Sequence, residues 1–310
     1  MPNIVNYAHK WEKDIIKLFN QNALTSPFIT SKVVFTGAKT VHFTQMGVTG
    51  YKTHSRQGGW NTGTVNQADN EFTLTHDRDI QFYVDIADID ESNETMSMKN
   101  VSDVFLRTQA VPEQDALFFG KVATVAVAEG LNSSTDISSY TKENVYGRLT
   151  EVWNRGKLRL YRQRGTLITY VNSTIMNLIE QSTNFTRVIK VESVSDMVGG
   201  IETRIARIDG IPVIEVIDDN RFYSSFNFTE GFEPQESACK INILVAATDT
   251  VKAVNKIANI YTFAPGAHHF GDGYLYQNRA YSDVFVFPNG VNNEIDSVAV
   301  DLSLAESTGE

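Results

Sequence analysis

Residues 41–86 constrain the fold most, because they predict a long, thin β-hairpin that has no core of its own. From residue 72 to 86 the even positions are mostly apolar and the odd positions mostly polar, so a strand here would have one apolar face. At about 3.3 Å per residue this strand would reach roughly 50 Å. A two-stranded ribbon is only marginally stable in water. We therefore expect its apolar face to be covered, either by the rest of the chain or by another copy of it.

The tip of the hairpin is predicted at residues 55–63, where turn-forming residues surround Trp60. In a monomer Trp60 would be an exposed aromatic side chain. Large exposed apolar groups usually mark a contact with a partner. Packing of Trp60 back onto the ribbon is the alternative.

The overall charge argues against tight binding of nucleic acid. The 310 residues include 27 Lys and Arg and 37 Asp and Glu, a formal net charge of −10. Affinity for nucleic acid comes mainly from cations that neutralise phosphates. An acidic chain instead favours solubility and repulsion between copies. The hydrophobic content of 42% is ample for a packed core.

Cys239 is the single cysteine, which excludes a disulfide framework within the chain and a cysteine-based zinc site. It precedes an apolar run and is expected to be a small buried hydrophobe rather than a nucleophile. The first residues lack the charged and apolar regions of a secretory signal, and no apolar stretch approaches about eighteen residues. Neither secretion nor a membrane span is expected.

A long helix is predicted over residues 100–130, where apolar residues recur near the helical period and Gly130 provides a terminator. Pro112 removes one backbone hydrogen bond and predicts a kink or a break. If the two halves are coaxial, they form a rod of roughly 45 Å. A rod of this length beside a long ribbon indicates an elongated body.

Residues 131–270 are typical of a mixed α/β region. Asp209-Gly210 is a tight-turn signal between two apolar runs and predicts a hairpin over residues 205–217. Helices are predicted at residues 141–153, 173–180 and 250–257. Strands are predicted at residues 167–171, 241–247 and 275–287. The small, polar residues 301–310 are expected to fray.

Three groups of residues are candidates for a chemical site. His268, His269 and Asp272 are the best metal or catalytic candidates, but adjacent histidines on an extended chain point in different directions. His76 is expected to be a satisfied or interfacial histidine rather than a general base. The acidic residues within 85–91 could hold a divalent cation, with a solvated turn as the alternative. Phosphate loops and nucleophile elbows are absent, which counts against catalysis. We expect no enzyme activity, no metal and no cofactor.

Six cations lie within residues 148–164, where Glu151 is the single acid. In a chain this acidic, such a segment would attract acidic surfaces of other copies, or DNA. A solvated face is the alternative. The candidate contact residues in this basic segment are Arg155, Lys157, Arg159, Arg162 and Arg164.

Taken in order, these parts resemble the major capsid proteins of tailed bacteriophages with the Hong Kong 97-type fold. Four stretches also resemble the subgroup found in phages of Gram-positive hosts, namely residues 75–85, 110–116, 208–214 and 275–286. The resemblance implies an α+β fold whose parts follow one another along the chain. These are an N-terminal arm (1–35), an extended hairpin called the E-loop (36–75), a peripheral domain with a spine helix (76–135), an α/β axial domain (136–265), a return to the peripheral domain (266–300) and a flexible tail (301–310).

The resemblance also implies a function, which is self-assembly into the icosahedral head shell that encloses phage double-stranded DNA. The chain would form pentamers and hexamers, would not read DNA sequence and would not bind a membrane. Tyr51, Arg56 and Trp60 of the E-loop would contact a neighbouring subunit, and the basic segment would face a neighbour or DNA. Only about thirty residues precede the E-loop, so a separate scaffolding protein is expected, together with a portal.

The expected location is the virion, and the host cytoplasm during assembly. The first alternative is an encapsulin-like bacterial nanocompartment shell protein with the same fold. The second is a hydrolase that uses carboxylates or histidines, with His268, His269 and Asp272 as its best candidate site.

Overall fold

The computed structural model describes residues 23–30, 35, 39–54, 58–87, 98–182, 205–289 and 294–304. Most of the predicted arm, and Arg56 at the predicted ribbon tip, lie outside these residues. The described residues combine a four-stranded sheet, a six-stranded sheet, a helical rod and a separate two-stranded ribbon. This mixture confirms the predicted α+β class.

The strands are numbered in chain order within the described residues. They are β1 (Ile29–Thr30), β2 (Thr40–Val48), β3 (Val65–Thr73), β4 (His76–Asp85), β5 (Asn132–Ser134), β6 (Leu167–Asn172), β7 (Ile205–Ile208), β8 (Ile211–Val216), β9 (Phe226–Asn227), β10 (Glu233–Pro234), β11 (Ile241–Ala247), β12 (Val251–Phe263), β13 (Gly273–Val286) and β14 (Val298–Leu302). The helices are α1 (Met98–Phe105), α2 (Val111–Ala128), α3 (Val145–Trp153), α4 (Leu158–Arg164) and α5 (Ser173–Gln181). Short 3-10 turns occur at Ser26–Phe28, Ile137–Ser139 and Asp219–Arg221.

The rod consists of α1 and α2 joined by a π-helical turn, Leu106–Ala110. The backbone N–H of Val111 donates to the carbonyl of Leu106, five residues back. This widened turn comes directly before Pro112, whose ring cannot pack against the carbonyl of a normal preceding turn. The predicted long helix is therefore confirmed, and the disturbance at Pro112 is a π turn rather than a break.

The four-stranded sheet has the order β1-β12-β13-β4. β13 is antiparallel to both β12 and β4, whereas β1 is parallel to β12. A bulge at Lys256 shifts the register between β12 and β13. Phe82, Phe105 and Tyr276 pack between this sheet and the rod.

The six-stranded sheet has the order β5-β14-β11-β6-β8-β7 and is covered on both faces. Leu244 of the central strand β11 packs in the cluster that includes α2, whereas its neighbour Val245 packs in the cluster that includes α3, α4 and α5. The predicted hairpin at Asp209-Gly210 is confirmed, because both residues adopt the positive φ that a tight hairpin turn requires.

Two predicted elements are wrong. The strand predicted over residues 72–86 is divided between β3 of the ribbon and β4 of the four-stranded sheet. The helix predicted at residues 250–257 is instead the first half of β12. Val251 and Ala253 pack in one core cluster and Val254 in another, so this strand is buried on both faces and its apolar spacing resembles that of a helix.

The two sheets join strands from different predicted segments of the chain. β12 belongs to the four-stranded sheet although residues 136–265 were assigned to the axial domain, and β5 and β14 belong to the six-stranded sheet. The segment predicted as a flexible tail begins too early, because β14 continues to Leu302. Asp301 is buried there and accepts hydrogen bonds from Tyr140 at 2.6 Å and Thr135 at 2.8 Å.

Candidate functional site: the ribbon and the charged surfaces

β2 and β3 form an antiparallel ribbon in which Thr40 is opposite Thr73 and Val48 is opposite Val65. Within the part of the chain that the structure describes, neither strand pairs with a third one. Nine residues in each strand give a ribbon of roughly 30 Å. The predicted hairpin is therefore present, with its strands ending earlier than expected.

The outer end of the ribbon is apolar and exposed. Met46, Val48 and Val65 share one face, and their side chains are 69%, 73% and 65% exposed. Tyr51 and Trp60, both predicted contact residues, are fully exposed beyond them. Such a concentration of exposed apolar side chains is typical of a surface that binds a partner.

Hydrogen bonds hold the described residues near the tip together beyond the last strand pair. Lys52 Nζ donates to the carbonyl of Thr62 at 2.8 Å, and Asn61 Nδ2 donates to the carbonyl of Thr53 at 2.9 Å. The two sides of the tip are thus joined by polar side chains, and the rings of Tyr51 and Trp60 are left exposed.

The base of the ribbon is buried against the four-stranded sheet. Val41 and Leu74 are buried with Tyr281 and Phe285. The ring of Phe72 lies 5.4 Å from that of Phe285, measured between centroids. The chain therefore covers the base of its own ribbon and leaves the outer end exposed.

A cleft of about 590 Å³ lies between the rod and the four-stranded sheet. Its lining includes the apolar residues Ile80, Phe82, Phe105, Leu106, Ile257 and Ile260. A charged group is present in the same lining. Glu113 Oε1 accepts a hydrogen bond from Arg78 Nε at 2.9 Å and lies 3.1 Å from His76 Nε2.

Arg78 also holds the loop between β9 and β10. Its two terminal nitrogens donate to the backbone carbonyls of Phe228 and Gly231. Since Arg78 lies on β4 and Glu113 on α2, this one side chain connects the sheet, the rod and the loop. His76 is thus paired, as the sequence predicted for a satisfied histidine.

The basic segment divides into paired and unpaired cations. Lys157 Nζ lies 2.9 Å from Glu294 and 3.5 Å from Asp296. The hydrogen bond and charge of Glu294 raise the pKa of Lys157. Arg162 lies 3.1 Å from Asp209 and 5.8 Å from the centroid of the Trp153 ring. Among the described residues, the cations of this segment that make no ion pair are Arg155, Arg159 and Arg164.

The loop that contains His268 and His269 is held by hydrogen bonds between His268 and the backbone of the same loop. His268 Nε2 lies 2.9 Å from the carbonyl of Gly273, and His268 Nδ1 accepts from the backbone N–H of Phe270 at 3.1 Å. Both ring nitrogens of His268 therefore have backbone partners. No three His, Cys, Asp or Glu side chains of the described residues are grouped as a metal site would require. Most of the acidic cluster at 85–91 lies outside these residues.

Sequence reasoning missed the buried carboxylate of Asp115. Asp115 of α2 is completely buried and accepts from the backbone N–H groups of Leu24 and Thr25, both at 3.2 Å, and from the Thr25 hydroxyl at 2.9 Å. Arg221 lies 3.1 Å away. Burial raises the pKa of Asp115, against the opposing charge of Arg221. The apolar run that follows Asp115 was the available signal that this carboxylate is internal.

No family model and no curated protein matches this chain. Among solved structures, the capsid of cyanophage P-SCSP1u matches with a TM-score of 0.58 at 10% identity, covering 92% of this chain and 89% of that one. The mature capsid of bacteriophage PhiM1 matches with a TM-score of 0.56 at 11% identity, covering 86% and 83%. Mycobacterium phage Bobi matches with a TM-score of 0.55 at 11% identity, covering 92% and 91%.

The described helices do not combine the length and the hydropathy that a membrane span requires. The structural matches extend over most of each chain, and the described residues contain the predicted ribbon and rod together with two sheets. The chain therefore has the Hong Kong 97-type fold of tailed-phage capsid proteins, as the sequence resemblance predicted.

Proposed function

We propose that this chain is a major capsid protein that self-assembles into the icosahedral head shell of a phage. The observation that carries the proposal is the ribbon, which is buried at its base and apolar and exposed at its outer end. Two solved structures with the same fold are described as phage capsids. A projecting apolar ribbon is what a subunit needs when a neighbour completes its core.

In the proposed mechanism, the ribbon of one copy lies across the neighbouring copy and buries its outer end there. Burial of a large apolar side chain contributes roughly 1.5–3 kcal/mol. Met46, Val48 and Trp60 alone would therefore supply several kcal/mol before the cost of association is subtracted. Because each copy both gives and receives a ribbon, association is cooperative across pentamers and hexamers.

The remaining partners follow from the same proposal. A separate scaffolding protein would direct shell size, a portal would occupy one vertex, and double-stranded DNA would fill the shell without sequence-specific contacts. The net charge of −10 suits a container, since a strongly cationic lining would hold the DNA tightly. The chain would carry no enzyme activity, would assemble in the host cytoplasm and would end in the virion.

The test compares the wild-type chain with a variant that lacks residues 55–64, each co-expressed with its scaffolding protein. Negative-stain electron microscopy should show closed shells for the wild type. The deletion should remain soluble and folded by circular dichroism but form no shells. Shells of normal size from the deletion would contradict the role of the ribbon. Particles filled with a host enzyme instead of DNA would favour the encapsulin-like alternative.

A further inference from the structure

The exposed side of α4 and the turn before it carry positive charge that the described residues do not neutralise. Arg159 and Arg164 are exposed, Arg155 is half-buried, and none of them makes an ion pair within that part of the chain. Leu160 is 54% exposed beside them. We call Arg155, Arg159 and Arg164 the basic surface. An exposed leucine among unpaired arginines is typical of an interface rather than of a freely solvated helix.

The loop that contains β9 and β10 carries the opposite charge. Glu230, Glu233 and Glu236 are exposed, and none makes an ion pair within the described residues. Arg78 contacts this loop through the carbonyl of Gly231, but its own charge is already matched by Glu113. We call the three glutamates the acidic loop.

The basic surface and the acidic loop lie on opposite faces of the six-stranded sheet. Leu158 and Tyr161 of α4 pack in the cluster that includes Ile243 and Val245. Phe222 and Phe228, which flank the start of the loop segment, pack in the other cluster, together with α2 and Leu244. One copy therefore cannot bring its own two charged surfaces together, whereas two copies can.

We propose that the basic surface of one copy binds the acidic loop of the next copy. The inference deepens the assembly function proposed above and rests on it. Two different surfaces of the same chain would meet in a head-to-tail contact, which repeats from copy to copy and closes into a ring when the rotation allows. Complementary charge would fix the register of neighbours and reject wrong orientations more than it would add affinity.

A second copy fits the basic surface better than DNA does. Only three cations there are unpaired, and they belong to a chain with a net charge of −10, which repels phosphates at longer range. A matching set of three unpaired carboxylates is present on every copy of the chain. Each copy thus supplies one basic surface and one acidic loop, so a ring of copies can pair all of them without a further partner.

Charge reversal tests the contact. Arg159→Glu with Arg164→Glu, and separately Glu233→Lys with Glu236→Lys, should each reduce the yield of closed shells by about tenfold or more, because like charges then face each other. The four changes combined should restore the yield to within about twofold of wild type, because the pairs re-form with reversed sign. Lys99→Glu with Lys142→Glu, at exposed positions that belong to neither surface, is the control for the arginine reversal because it changes the net charge by the same amount.

Every variant should keep the unfolding midpoint of the isolated chain, since the replaced side chains are exposed. Sedimentation velocity and electron microscopy then separate the outcomes. Rescue by the combined variant supports the contact, whereas wild-type yield from either double reversal, or failure of the combined variant, overturns it. Intact shells that retain less DNA would assign the arginines to DNA instead and also overturn it. Absence of shells from the wild type would contradict the assembly function itself.

Discussion

The carboxylate of Asp283 accepts two hydrogen bonds from Thr75, one from its backbone N–H and one from its hydroxyl, both at 2.8 Å. Thr75 lies between β3 of the ribbon and β4 of the four-stranded sheet. The other oxygen of Asp283 lies 3.2 Å from Lys121 Nζ on the rod. One buried carboxylate thus fixes the point where the ribbon leaves the sheet and connects that point to the rod.

Replacement of Asp283 by Ala should lower the free energy of unfolding by roughly 1.5–3 kcal/mol, because a buried charged acceptor is lost and its donors keep no equivalent partner. Amide hydrogen exchange at residues 73–76 should also become faster. Denaturant unfolding of the isolated chain measures the first effect. Asp249→Ala, at an exposed acid before β12, is the control, and equal midpoints for the two variants would contradict the anchoring role.

The contact between Asp283 and Thr75 could not be predicted from the sequence pattern. The apolar alternation runs without interruption through Leu74, so residues 72–86 predict a single strand. The break depends on Asp283, which is 208 residues away in the chain. Likewise, Val251, Val254 and Ile257 are spaced as in a helix, and only pairing with β13 shows the bulge at Lys256.

Local sequence patterns were sufficient for the elements whose structure depends on residues that are close together in the chain. The rod, the ribbon and the Asp209-Gly210 turn were predicted from periodicity and turn residues. The basic segment was found from composition. Which of its cations are paired could not be predicted, because the partners of Lys157 are Glu294 and Asp296, far along the chain. The exposed face of Met46 and Val48 was also missed, although two apolar residues at alternating positions of an unpaired ribbon were a usable signal.

Replacement of Met46 and Val48 by Ser should separate assembly from stability. Both side chains are mostly exposed, so the free energy of unfolding of the isolated chain should change by less than about 0.5 kcal/mol. The yield of shells should fall sharply, because the ribbon then has little apolar surface to bury on a neighbour. Asn66→Ser, on the opposite face of the same ribbon, should leave the yield unchanged.

Light scattering and electron microscopy of the same preparations measure the yield of shells for both variants. Normal shells from the Met46 and Val48 double variant would exclude that face of the ribbon as a contact. A large loss of stability would show instead that the face packs within the chain.

The buried tyrosines should make the fold sensitive to alkali. Burial of Tyr276 raises its pKa to about 12, whereas a tyrosine in the unfolded chain has a pKa of about 10. Because the folded pKa is the higher one, this contribution to stability is complete below pH 10 and is lost as the pH rises towards about 12. Burial also raises the pKa of Tyr170.

Tyr276→Phe should therefore reduce the loss of unfolding free energy between about pH 10 and pH 12 by up to about 2 kcal/mol. Denaturant midpoints measured at intervals across this range give the slope. Tyr51→Phe, at an exposed position on the ribbon, is the matched control and should keep the wild-type slope. Identical slopes for the two variants would mean that Tyr276 does not contribute to the effect.

The contact between Arg78 and Glu113 should be worth more than a surface ion pair, because both side chains are largely buried and Arg78 also holds two backbone carbonyls. Glu113→Ala and Arg78→Ala should each lower the free energy of unfolding by roughly 1.5–3 kcal/mol. Combined, they should cost less than the sum by about 1 kcal/mol, since the second change removes a group that has already lost its partner. A double-mutant cycle in denaturant measures this difference, and strictly additive losses would show that the two residues stabilise the rod and the sheet independently.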